Sequence, residues 1–228
     1  MEKLKLYLID FSKGKIKVAN FLTYCEEHPE VLDFLTNIAD SKFKTTIVHK
    51  ISNENGFAQY IPEELPFDAK LFLKEELKTS GGMLGKFLNI HSLFSNVIAT
   101  AYPNDNIVID TTLHEKYCFM LEACPEYIGG EEVDALLESL LESLPEDLSK
   151  TKQIKLYKEK VKALFHIEQN KYPRWIQDPE WPVGEEGIPM KFVSQKRKKG
   201  KAYNTMLYTE YLFEDVKTGK QRTIEQFT

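Results

Sequence analysis

The stretch Tyr172-Pro173-Arg174-Trp175-Ile176-Gln177-Asp178-Pro179-Glu180-Trp181-Pro182 divides this chain into two kinds of sequence. It holds both tryptophans and three of the ten prolines. A proline has no N–H to donate and fixes its own φ, so neither a helix nor a central strand runs through such a segment. Upstream, apolar residues recur at helical spacing. Downstream, aromatic and β-branched residues fall in short runs, the composition of strands. The expected fold class is therefore α+β. A mainly helical body to about residue 170 is followed by a three-stranded antiparallel sheet in 171–228, packed on the helices as one unit. Trp175 and Trp181 are expected to seal the seam.

Upstream, helices are expected over Glu2–Ser12, 17–27 and 30–39, the last opening at Pro29, which suits a first helical turn. Residues 43–51 read as a strand or an extended loop. Residues 52–62 are polar, contain Asn55-Gly56, and read as loop. A helix opens near Pro66 and ends before Thr79-Ser80-Gly81-Gly82. The next, over 84–101, sets Leu84, Phe87, Leu88, His91, Phe94 and Ile98 on one face. Asp110 or Thr111 can cap a helix ending at Ala123. Residues 131–144 carry the widest apolar stripe: Val133, Leu136, Leu137, Leu140, Leu141 and Leu144. Ser149 or Thr151 caps a helix over 152–168. Strands are expected over 190–194, 206–213 and 222–227. The turn between the last two ends on Gly219, a residue suited to positive φ.

A chain of 228 residues can bury a sizeable core. Its formal net charge of -5 gives no general attraction to nucleic acid or to an anionic membrane. No apolar run is long enough to cross a bilayer. The opening run Leu4 to Ile9 is broken by Asp10 and lacks a small-residue cleavage site, so it does not read as a signal peptide. Cys25, Cys118 and Cys124 have no framework spacing and fit buried thiols in a reducing cytoplasm.

Charge is segregated along the chain. Residues 117–149 contain no Lys or Arg but hold Glu122, Glu126, Glu131, Glu132, Asp134, Glu138, Glu142, Glu146 and Asp147. Asp134, Glu138 and Glu142 are four apart and form a ridge on one helix. The band reads either as a solvated face, neutralised by the lysines of 150–162, or as a surface for a basic partner. For the second reading Tyr127, Glu131, Asp134, Glu138 and Glu142 are the candidate contacts. The opposite feature is Lys196-Arg197-Lys198-Lys199-Gly200-Lys201, expected in a hairpin loop. It is either a solvated loop or a phosphate contact through Lys196, Arg197, Lys198, Lys199 and Lys201. Only Tyr203 lies near it in sequence, too little for base stacking.

Catalytic motifs fail on spacing. Ser80-Gly81-Gly82-Met83-Leu84-Gly85-Lys86-Phe87 has its first glycine misplaced for a phosphate loop, and Phe87 stands where Ser or Thr is needed. His114-Glu115 has no second histidine at a helical zinc spacing. His114 lies one helical turn from Cys118, but the surroundings are those of a core helix. His91 reads as a hydrogen-bonded core residue. No cofactor or metal is expected.

Several strings occur together: Cys124-Pro125-Glu126-Tyr127-Ile128-Gly129-Gly130, Ser149-Lys150-Thr151-Lys152, Pro173-Arg174-Trp175-Ile176-Gln177, Glu180-Trp181-Pro182, Pro189-Met190-Lys191-Phe192-Val193-Ser194-Gln195, Tyr208-Thr209-Glu210-Tyr211 and Glu225-Gln226-Phe227. In these the chain resembles a family of small cytoplasmic bacterial proteins, the immunity partners of polymorphic and contact-dependent toxins. The resemblance covers residues 110–228 well and the first half more loosely. It implies a non-catalytic protein that binds a cognate toxin domain, such as a basic nuclease, and blocks its active site. It supplies no catalytic residues. The rival readings are a nucleic-acid-associated protein using 196–201, and an enzyme using His114 or His166 in a cleft between helices and sheet.

Overall fold

A computed structural model describes residues 2–52, 58–199 and 207–227. The chain is α+β and forms two compact units, Met1–Tyr117 and Cys118–Thr228. The boundary falls inside one helix. Its cause is packing. The helices after Ala123 bury their apolar stripe against the C-terminal sheet and share a core with it.

In the first unit, helices α1 (Glu2–Ser12), α2 (Val18–Glu27), α3 (Glu30–Ile38), α4 (Ala69–Lys78) and α5 (Met83–Ala101) enclose one core. Leu8, Phe11, Phe21, Leu35, Ile90, Phe94 and Ile98 are fully buried there. His91 is buried among them, and its Nε2 lies 3.1 Å from the Phe11 carbonyl. A carbonyl only accepts, so that nitrogen carries the proton. The expected phosphate-loop look-alike is a helix start, with Gly82 as the residue before α5.

Between α3 and α4 lies a hairpin of β1 (Lys44–Ser52) and β2 (Ala58–Pro66), antiparallel from Lys44↔Pro66 to Ser52↔Ala58. Most of β2 falls where a loop was expected; Asn55-Gly56 lies outside the described residues. The sequence signal failed because neither face is buried: β2 is exposed along nearly its whole length. Alternation marks a strand only when one face meets a core. The base of the hairpin is pinned. Asp68 N–H donates to Thr45 Oγ1 (2.8 Å), Leu71 N–H to Asp68 Oδ1 (2.9 Å) and Ala69 N–H to Thr36 Oγ1 (2.9 Å). Asp68 caps α4, so the helix opens there and not at Pro66.

Helix α6 (Thr112–Ala123) crosses from one unit to the other. The second unit contains α7 (Asp134–Glu142), α8 (Lys150–Leu164), which begins after Ser149 without the side-chain capping bond expected there, and the sheet β3 (Lys191–Lys199), β4 (Leu207–Glu214) and β5 (Gln221–Phe227). The order is β3-β4-β5, all antiparallel neighbours. Gly219 closes the last turn at φ 70°. Trp181 is buried where the helices meet the sheet. Its ring stands edge-on to Phe165, at the end of α8, at 5.1 Å, and to Phe213 of β4 at 5.3 Å. Trp175 lies on Tyr211 and Phe213, at 4.5 and 5.9 Å. Trp181 therefore seals the seam as expected, while Trp175 packs on the sheet and donates its indole N–H to the Tyr127 carbonyl.

The segment from Arg174 to Trp181 crosses the inner face of the sheet as a strap, and each strand supplies a polar side chain to hold its backbone. Gln195 of β3 accepts from Arg174 N–H (2.7 Å). Tyr211 of β4 accepts from Ile176 N–H and donates to Arg174 O, both at 3.0 Å. Gln226 of β5 accepts from Ile176 and Gln177 N–H and donates to Asp178 O. Strap amides that no ladder satisfies are thereby paired by side chains of the sheet, those of Ile176 and Gln177 in part-buried bonds. At its far end, Trp181 N–H donates to Gly129 O (2.9 Å) and Trp181 Nε1–H to Met190 O (2.8 Å).

The close pass needs Gly130. It sits at φ 118°, and a Cβ there would come within 3.0 Å of Trp181 N and 3.1 Å of Glu180 Cα. Gly187 has a positive φ too, 72°, but open space around it. Gly130→Ala is therefore expected to cost at least about 2 kcal/mol. Gly187→Ala, which meets only the dihedral penalty, is expected to cost about 1 kcal/mol. Urea unfolding of the two variants measures the difference; equal losses would show that the strap is not tightly seated on Gly130.

Candidate functional site

The acidic band belongs to the second unit, and the fold sorts its members. Helix α7 is shorter than the apolar stripe of 131–144 suggested, because Glu131, Glu132 and Val133 form a turn before it. That turn serves the sheet. Glu132 takes a bidentate pair from Arg222 of β5 at 2.7 and 2.9 Å and accepts from Val183 N–H at 3.1 Å. The guanidinium holds the Glu132 carboxyl below its ordinary value, and the amide helps. Glu122 pairs with Lys150 at 2.7 Å.

The expected ridge is not uniformly outward. Asp134 and Glu138 are half-buried, and Glu142 is exposed. Asp134 is close enough to Cys124 to raise its thiol, which burial chiefly pushes up to about 11. Glu138 similarly adds to the burial that raises the Tyr157 hydroxyl, which donates to Leu137 O (3.1 Å). Glu126, Glu131, Glu142, Glu146 and Asp147 are exposed, as are the ion-paired Glu122 and Glu132. The first five sit at the turns flanking α7 and at its last position.

Tyr127 is engaged within the second unit. Its ring stacks on Tyr172 at 3.9 Å and 6°, and its carbonyl accepts from Trp175 Nε1–H at 2.9 Å. Its half-buried side chain helps to hold the strap. The α8 lysines, expected as counter-charges, are only partly used so. Lys160 donates to Ser143 Oγ (2.8 Å) and Lys162 to Asn170 Oδ1 (3.3 Å).

The basic run is not a loop. Strand β3 runs on to Lys199, pairing Lys196↔Glu210, Arg197↔Thr209, Lys198↔Tyr208 and Lys199↔Leu207. Lys201 lies outside the described residues. Cations on an edge strand discourage unwanted strand pairing. Lys198 is ion-paired with Glu210. Strand register also brings up two aromatics that sequence distance hid: Tyr208 faces Phe227 at 5.5 Å in the row of Lys198. Glu210 and Glu225, opposed one row away, offset the lysines on that face.

His114 is exposed on α6. His166 follows α8 at φ 53°, with Nε2 buried and unpartnered. Burial pushes the Cys25 thiol up to about 12. Among the described residues no three His, Cys, Asp or Glu side chains are grouped to hold a metal, and no helix is long and apolar enough to cross a membrane. In the first unit an open cleft of about 580 Å³ lies beside Phe43, Phe72 and Leu93. Its carboxylate, Glu76, accepts from Asn89 Nδ2–H at 2.9 Å.

Comparison with protein-family models, with curated proteins and with solved structures returned no match.

The lowered carboxyl of Glu132 carries a pH signature. A group whose pKa falls on folding adds stability above its unfolded value, and the contribution is lost as pH drops through the folded value. Wild type should therefore be more stable than Arg222→Ala at pH about 6, with the gap closing toward pH about 3, below the ordinary carboxylate range. Urea unfolding at both values checks this; a gap independent of pH would mean Arg222 acts only by packing.

Proposed function

We propose that this chain is a bacterial, cytoplasmic immunity protein that neutralises a cognate toxin domain by covering its active face, without chemistry of its own. The observation that carries the reading is the incomplete neutralisation of the acidic band. Lys160 and Lys162 turn to a serine and an asparagine, while Glu126, Glu131, Glu142, Glu146 and Asp147 stay exposed. Clustered like charge costs folding stability through self-repulsion, and a basic partner would relieve it. A nuclease must be basic where it holds phosphates, so an acidic surface competes for that face. The resemblance in residues 110–228 supports the same reading.

On this reading the contact lies across Glu131, Glu142 and the neighbouring turns. Asp134 and Glu138 contribute field from half-buried positions, and Tyr127 acts through the strap. Electrostatic steering speeds encounter and weakens with salt.

The test is co-expression with the toxin domain encoded beside this gene. Wild type should protect growth and bind the purified domain. The double variant Glu131→Lys with Glu142→Lys should associate at least about tenfold more slowly at low salt, with the difference shrinking as salt rises. An absence of binding and protection would defeat the proposal. A double variant with unchanged association would move the contact off the acidic band.

A further inference from the structure

Among the described residues, the outer edge of β1 carries neither a proline nor a neighbouring strand. Strand β2 carries Pro62 and Pro66, which cannot donate to a ladder. Strand β3 carries Lys191, Lys196, Arg197 and Lys198. The end of β5 is occupied, since its Phe227 carbonyl accepts from Gln177 Nε2–H at 2.9 Å. Strand β1, Lys-Thr-Thr-Ile-Val-His-Lys-Ile-Ser from Lys44 to Ser52, has no proline and four β-branched residues in a row, Thr45 to Val48. Among the described residues β2 is its only sheet neighbour. Val48 is 56% exposed and Ile51 50%, and Thr46, His49 and Lys50 are exposed as well. A two-stranded ribbon with both faces solvated is marginal by itself, and a third strand completes it.

The charge along this edge is of one sign. Lys44 and Lys50 lie on β1, which has no carboxylate. Lys44, Thr46, Val48 and Lys50 alternate onto one face, with the lysines at its two ends, about 20 Å apart at strand rise. Strand β2, the neighbour that β1 already accepts, is an extended segment with Glu63 and Glu64 among its apolar residues. Glu63 Oε2 lies 2.8 Å from His49 Nε2.

We propose that the free edge of β1 binds an extended peptide segment as a third strand. The segment would carry β-branched residues between two carboxylates six positions apart, the carboxylates meeting Lys44 and Lys50. Backbone hydrogen bonds would supply the affinity and the flanking charges the selectivity. A second copy of β1 would instead bring its lysines into the same ladder, so charge favours the acidic partner. The inference is independent of the acidic band and of the immunity reading.

The probe is a short fluorescent peptide of alternating valine and threonine with glutamates six positions apart, titrated into the full chain at low salt. A second peptide has lysines in place of the glutamates; a third has methylated peptide nitrogens. The glutamate peptide should bind at least about tenfold more tightly than the lysine peptide, in the range of tenfold per favourable interaction set, and the methylated peptide should not bind. Lys44→Glu with Lys50→Glu alters two exposed side chains and should invert the preference. Failure of the glutamate peptide to bind, equal binding of the methylated peptide, or an uninverted preference would each overturn the proposal. Concentration-dependent dimers that Val48→Pro abolishes, without peptide binding, would assign the edge to a second copy and overturn it too.

Discussion

The second unit depends on how its proline-rich strap meets its hydrogen-bonding needs. A segment with Pro173, Pro179 and Pro182 cannot join a ladder, yet it crosses a buried sheet face. The part-buried amides of Ile176 and Gln177 would be left unpaired there, at up to about 1–3 kcal/mol for each lost partner. Tyr211 and Gln226 supply the partners, and Gln195 does the same for Arg174 N–H. Trp181 then locks the far end through its backbone to Gly129 and its indole to Met190. Helix, strap and sheet thus close around Trp181, Phe165 and Phe213.

This closure also shapes the charged surface. Glu132 leaves the acidic band to clamp Arg222 and Val183, which shortens α7 at its start. Tyr127 gives its carbonyl to Trp175. Two residues that the sequence placed in a binding band are partly structural. The carboxylates left to solvent lie at the turns beside α7, and any partner reading them meets an edge more than a helical ridge.

Elements with one buried face were legible in the sequence. Helices such as Glu2–Ser12 and Met83–Ala101 announced themselves by apolar period, and the role of Trp181 followed from its place between helix and strand patterns. Residues 44–66 were only partly legible, because a ribbon solvated on both faces has no reason to alternate. The basic half of β3 was hidden for the same reason: Lys196 to Lys199 look like loop residues unless the partner strand is known. The pairing of Tyr208 with Phe227 is a matter of register, which spacing along the chain does not encode. A change in local pattern at residue 170 is not a change in packing: α7 and α8 share a core with the sheet.

The direct test of the strap is amide hydrogen exchange on the full chain. The account predicts that the amides of Ile176, Gln177 and Trp181 exchange as slowly as those of β4, opening only with the whole second unit. Exchange of these amides at the rate of an exposed loop, while β4 stays protected, would contradict it.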